Sequence, residues 1–202
     1  MKFYPPIPDT HELKATLHHD HLMDFIKPWL QKKNRYTRTY HYTLGLGLLI
    51  IGMMAGMMLA RWSFDPKVLS HISFGVLASF LIIPFHELLH GLAYKLKGAK
   101  KIEYKAYWKK MVFYAIADKF SIGYDAFRFV ALLPFVLVTV SCLFCMLVFN
   151  EWWIFFFAMA YSHAAFCGGD FGLLSYMYEN KNAVVLTVDD IEKNETYFYH
   201  HK

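Results

Sequence analysis

The sequence predicts an all-α integral membrane protein, a four-helix transmembrane bundle with a small strand or hairpin element on its cytoplasmic side. Three observations lead there. Hydrophobic residues make up 56% of the 202 positions and charged residues only 18%, against about a quarter charged in an ordinary soluble domain. The apolar residues are gathered in blocks rather than spread at the period of a half-buried element. The basic residues, which set a formal charge of +5, flank those blocks. This composition excludes disorder, a coiled coil and a disulfide scaffold. No RNA- or DNA-binding motif accompanies the basic residues, so the expected partner is the lipid bilayer and not nucleic acid.

The polar residues 1–42 form a cytoplasmic N-terminal segment. Its first apolar run begins too late for a secretory signal peptide. A first span, TM1, covers 43–60 and has Gly45, Gly52 and Gly56 for close packing. TM2 covers 68–96 and ends in the basic stretch 95–101. TM3 (126–150) and TM4 (152–177) are separated by so short a turn that they must be antiparallel neighbours. Together 43–178 make up the membrane domain, and 179–202 a cytoplasmic tail. With four spans, 19 of the 21 Lys and Arg fall on one side. That side is the cytoplasm by the positive-inside rule, which puts both termini there. The short, compact form favours a bacterial plasma membrane.

Between TM2 and TM3, residues 101–118 begin with period-two alternation. Ile102, Tyr104, Ala106 and Trp108 face one way and Glu103, Lys105, Tyr107 and Lys109 the other, as in an edge or hairpin strand. The stretches AVVLTVDD and TYFYHH in the tail are weakly strand-like.

The chemistry lies in His86-Glu87-Leu88-Leu89-His90, an H-E-x-x-H pattern whose chance expectation in this composition is about 0.02. On a helix its two imidazoles lie one turn apart and can share one Zn²⁺, with Glu87 beside it to take a proton from a zinc-bound water. A hydrolytic zinc site normally has three protein ligands. The strongest candidate for the third is Asp170 in TM4, preceded by Cys167, Gly168 and Gly169, because a carboxylate inside an apolar span needs a partner. His163 lies seven residues earlier, on the same helix face. It is placed to donate to an oxyanion, to orient Asp170, to bind metal, or simply to bond a neighbouring helix. Pro84 should bend TM2 beside the motif. Cys142 and Cys145 read as packing residues, and His11, His18, His19 and His21 as a flexible cluster without ligand spacing.

The string IIPFHELLHGLAYKLKG, the strand-like stretch after it, a span containing ALLPF and a last span ending in CGGD together resemble the DUF3267 group of membrane zincins. That group is itself similar to the site-2 protease class of intramembrane metalloproteases. The likeness runs from Val68 to the C-terminus. It implies His86, His90 and Asp170 as zinc ligands and Glu87 as general base, in a site near the cytoplasmic face. One departure is that the Asn-Pro-Asp-Gly type of motif around the third ligand of many site-2 proteases is Cys-Gly-Gly-Asp here. The function expected is therefore zinc-dependent hydrolysis of a membrane protein or peptide substrate, which the segment around Ile102 to Trp108 would hold by edge pairing. The alternative is a non-catalytic membrane protein with a structural or regulatory zinc site.

Overall fold

The computed structural model describes residues 3–61, 65–107 and 112–202. Trp62, Trp108 and Lys109 lie outside them. In chain order the elements are β1 (His11–His18), α1 (Leu22–Leu30), α2 (Arg35–Ala60), α3 (Pro66–Leu81), α4 (Ile83–Leu96), β2 (Ile102–Tyr107) and β3 (Val112–Ala117). They continue with β4 (Ser121–Gly123), α5 (Tyr124–Val148), α6 (Trp153–Phe166), α7 (Gly168–Glu179), β5 (Leu186–Asp190) and β6 (Glu195–His201).

Local chemistry sets the helix boundaries. Asn34 caps α2 by accepting from the Tyr36 and Thr37 amides, and the Thr37 hydroxyl returns the bond to the Asn34 N–H. The Asn34 side-chain amide also donates to Ser175 and Glu179, each at 2.8 Å, which ties the start of α2 to α7. Asp65 caps α3, with Pro66 in the first turn. Pro84 falls at the start of α4, where it lacks the N–H that would continue α3, and the two helices meet at 41°. Gly75 lets α3 lie directly on the backbone of Phe155 in α6, where a Cβ would collide.

The expected all-α, four-span bundle is not what forms. The described chain contains a four-stranded antiparallel sheet in the order β1-β6-β5-β4 and a separate β2-β3 hairpin. Two helices, α2 and α5, are long and apolar enough to cross a membrane, or three spans if the bent α3–α4 pair counts as one. The run read as TM4 is divided at Cys167 into α6 and α7, and each is too short for a hydrocarbon layer about 30 Å thick. Apolar composition alone could not reveal the break, because glycines and a cysteine are as apolar as their neighbours.

The residues expected to be a flexible histidine cluster belong to β1 and the turn after it, where His19 is buried. β1 pairs with β6 from His11↔His201 to His18↔Glu195. The sheet therefore gathers the start of the chain, the segment before α5 and the end of the chain at one end of the helices.

The main core forms where helices meet sheet. Phe171, Leu174 and Met177 of α7 pack with Phe127 and Val130 of α5, Ala93 of α4 and Phe198 of β6. Away from the sheet the helices turn leucines, methionines and phenylalanines outward, among them Leu46, Met53, Leu69, Phe74, Leu143 and Leu147. An apolar surface of this extent suits lipid rather than water.

Candidate metal centre

His86 and His90 are one turn apart on α4 and buried, and both rings turn Nε2 toward Asp170 near the start of α7. The His86 Nε2 to His90 Nε2 distance is 3.0 Å, His90 Nε2 to Asp170 Oδ1 is 3.1 Å and His86 Nε2 to Asp170 Oδ2 is 3.3 Å. Glu87 lies beside them, with Oε1 4.0 Å from His86 Nε2. The structure thus brings together all four residues that the sequence singled out around the motif.

The fifth, His163, is buried on α6 behind His86. Its Nε2 is 2.9 Å from His86 Nδ1, the nitrogen opposite the one that faces Asp170. Cys167 stacks behind His163, with Sγ 3.9 Å from its Nδ1. The Sγ–H donates to the His163 carbonyl at 3.3 Å. His163 therefore stands behind His86, on the side of that ring away from Asp170.

The donors fit Zn²⁺. In a tetrahedral site with bonds of 2.0–2.1 Å, donor atoms are separated by about 3.3 Å, close to the three edges measured here. Proton bookkeeping points the same way. His90 Nδ1–H donates to the Val130 carbonyl at 2.9 Å, so a neutral ring presents a bare lone pair at Nε2. With a second imidazole nitrogen and a carboxylate opposite it, the cluster is acceptor-rich, as a cation site requires. Each ring nitrogen that does not face Asp170 has its own partner, Val130 or His163, the usual support for metal-ligating imidazoles.

The hairpin completes the site. Gly91, immediately after His90, has no side chain to obstruct the Tyr104 hydroxyl, which packs where a Cβ would sit. This lets β2 and β3 lie close on α4. The Ala115 N–H of β3 points away from β2 and donates to Glu87 Oε2 at 2.8 Å. Two residues on, the Ala117 N–H donates to the Asp189 carboxylate. That edge of the hairpin is occupied by side-chain carboxylates, one from α4 and one from β5.

A cavity of about 190 Å³ runs from His86, Glu87, His90 and Asp170 to Asp189 and Thr196 at the sheet. Asp189 Oδ1 accepts from the Thr196 hydroxyl at 2.6 Å, and His19 Nε2 lies 2.9 Å from the same hydroxyl. Burial pushes the Asp189 carboxyl up to about 6 and lowers the His19 imidazole below its ordinary value. Sequence reasoning missed Ala115 and Val130, which act through backbone atoms and carry no signal. It also missed Asp189, whose only mark is an acidic residue ending the apolar strand-like run AVVLTVDD.

A DUF3267 family model, described as "Putative zincin peptidase", matches residues 79–185 of the 202. The chain belongs to the DUF3267 family. The matched region contains α4, the hairpin, α5 and α7, hence every residue of the candidate centre. No curated protein and no solved structure matches the chain.

Proposed function

We propose that this DUF3267 protein is a membrane zinc endopeptidase of site-2 protease type, with His86, His90 and Asp170 as zinc ligands and Glu87 as general base. The observation that carries this reading is the near-tetrahedral spacing of three donors on two separate helices, facing a cavity with a carboxylate beside them. Zinc, when bound, supplies a Lewis acid that acidifies water and polarises a carbonyl.

The chain's own residues then have distinct tasks. Glu87, fixed through Oε2 by the Ala115 amide, keeps Oε1 on the metal side to accept a proton from the attacking water and return it to the leaving amine. His163 accepts the His86 Nδ1 proton and so holds that ring with Nε2 toward the ion; it is a positioning residue. The apolar outer faces of α2 and α5 would place the centre at the boundary between bilayer and cytoplasm, with the sheet on the cytoplasmic side. Both termini join that sheet. The substrate class is a membrane-associated protein or peptide.

Zinc analysis of detergent-purified chain tests the assignment. Glu87→Gln should retain zinc and abolish peptide cleavage, whereas His86→Ala and Asp170→Ala should lose the metal. Equal zinc in native chain and Asp170→Ala would remove Asp170 from the site, and cleavage by Glu87→Gln would reject the mechanism. Zinc held by His86, His163 and Cys167, whose donor atoms also lie within 4.8 Å of one another, would favour a structural site.

A further inference from the structure

The cavity has two ends, and the peptidase reading uses only one. At the metal end, Glu87 and Asp170 face His86, His90 and the ion they would hold. At the sheet end, Asp189 lines the same space, and its hydrogen-bond partners among the described residues are neutral, the Thr196 hydroxyl and the Ala117 amide. The charged group acting on it is another carboxylate, Asp118, and that one has Lys101 at 3.2 Å. No Lys or Arg among the described residues pairs with Asp189. A carboxylate enclosed without a cation is costly. This one is half-buried and lines the cavity.

Its distance from the reaction centre is set by one strand. Ala115 holds Glu87 and Ala117 holds Asp189 through alternate outward amides of β3, so the two carboxylates hang about 7 Å apart along it. A lysine's four-carbon stem reaches about 6 Å from its Cα. A peptide with its carbonyl beside Glu87 could thus deliver the cation of an adjacent residue to Asp189. The walls between, including Leu17, Phe127 and Ile116, are apolar and suit the methylene stem.

We propose that the sheet end of this cavity is a side-chain pocket for a basic residue, lysine or arginine, flanking the bond to be cleaved, with Asp189 receiving the cation. The proposal rests on the peptidase reading for the meaning of that bond, but the pocket itself binds with or without metal. Asp189 is the acceptor, Thr196 holds its Oδ1 in place, and His19, which also lines the cavity, lies 2.9 Å from the Thr196 hydroxyl. Norleucine, which matches the lysine stem without its charge, would leave the carboxylate unpaired, and a glutamate would face it with like charge.

The test is equilibrium binding of N-acetyl-Ala-X-Ala amides, with X as lysine, arginine, ornithine, norleucine or glutamate, to the full chain in detergent micelles. It is measured by calorimetry on zinc-loaded and chelator-stripped protein. Lysine and arginine peptides should bind at least tenfold more tightly than norleucine in both forms, with glutamate weakest. Asp189→Asn, whose amide oxygen can still accept from Thr196, should bring lysine and norleucine within about twofold. Asp189→Glu keeps the charge on a longer arm and should shift the preference from lysine to ornithine, which remains decisive if the Asn variant does not fold. Equal affinities for lysine and norleucine in the native chain, or a lysine preference that survives Asp189→Asn, would overturn the pocket. A preference that Asp189→Asn removes, in a zinc-loaded chain that leaves every peptide intact, would uphold the pocket and overturn the peptidase reading. Cleavage with no such preference would do the reverse.

Discussion

The two ends of the cavity meet the same problem, a carboxylate withdrawn from water, in different ways. At the metal end Asp170 lies 3.1 and 3.3 Å from two imidazole nitrogens, and each of those rings is braced from behind. At the sheet end Asp189 has a hydroxyl and an amide, both neutral, and its carboxyl is pushed up to about 6 by burial. The first arrangement is complete once an ion arrives. The second leaves, among the described residues, a carboxylate whose charge no Lys or Arg balances. Enclosed carboxylates need compensation in either case, and whether the chain or a ligand supplies it separates a built centre from a receiving pocket.

The contrast can be tested at three points, starting with the largest expected effect. If the imidazoles are held from behind, His163→Leu should weaken zinc binding about 10–100-fold, measured by competition with chelators of graded affinity. His163→Gln, which still offers an acceptor to His86, should restore most of it. Unchanged affinity in the leucine variant would reduce His163 to packing. Next, Ala115→Pro removes the amide that fixes Glu87 at a position whose N–H is not used by the β2–β3 pairing. Zinc content should stay the same while peptide turnover falls about 10–100-fold through misplacement of the base. Loss of zinc in that variant would mean that the hairpin builds the ligand triangle as well.

The smallest effect concerns the sheet end. The folded-state value of Asp189 lies above its unfolded value of about 3.9, so its contribution to stability falls as pH rises from about 4 to about 6 and remains unfavourable above that. Asp189→Asn should therefore stabilise the free chain at pH 7.5 by on the order of 1–3 kcal/mol, with the gain disappearing below about pH 4. Thermal unfolding of both chains across that range checks this. A pH-independent difference would mean that Asp189 is already compensated.

Legibility followed the range of the interactions. His86, Glu87 and His90 are readable because helical spacing alone puts them on one turn, and Pro84 announced the 41° bend through its missing N–H. Asp170 stood out because a carboxylate in an apolar run needs a reason. The division of the last apolar run into α6 and α7 was not readable, since hydropathy does not register a change of axis. Nor was the pairing of the sheet, in which His11 pairs with His201 across almost the whole chain: the tail stretches that form β5 and β6 read as strand-like, but nothing in the polar, histidine-bearing segment of β1 marked it as their partner. Asp189 was hidden for the same reason, its role arising only when β5 is laid beside the outward edge of β3.

By itself, the sequence determined the apolar character of the helices, the motif on α4 and the residue types able to hold a divalent ion, because these depend on composition and on spacing within a single turn. Only the tertiary structure decided that His163 stands behind His86 on the side away from Asp170, that a backbone amide of β3 steadies Glu87, and that Asp189, without a cationic partner among the described residues, lines the far end of the cavity. Those outcomes depend on which atoms of distant segments come within about 3 Å of one another, and neither spacing nor hydropathy along the chain encodes that.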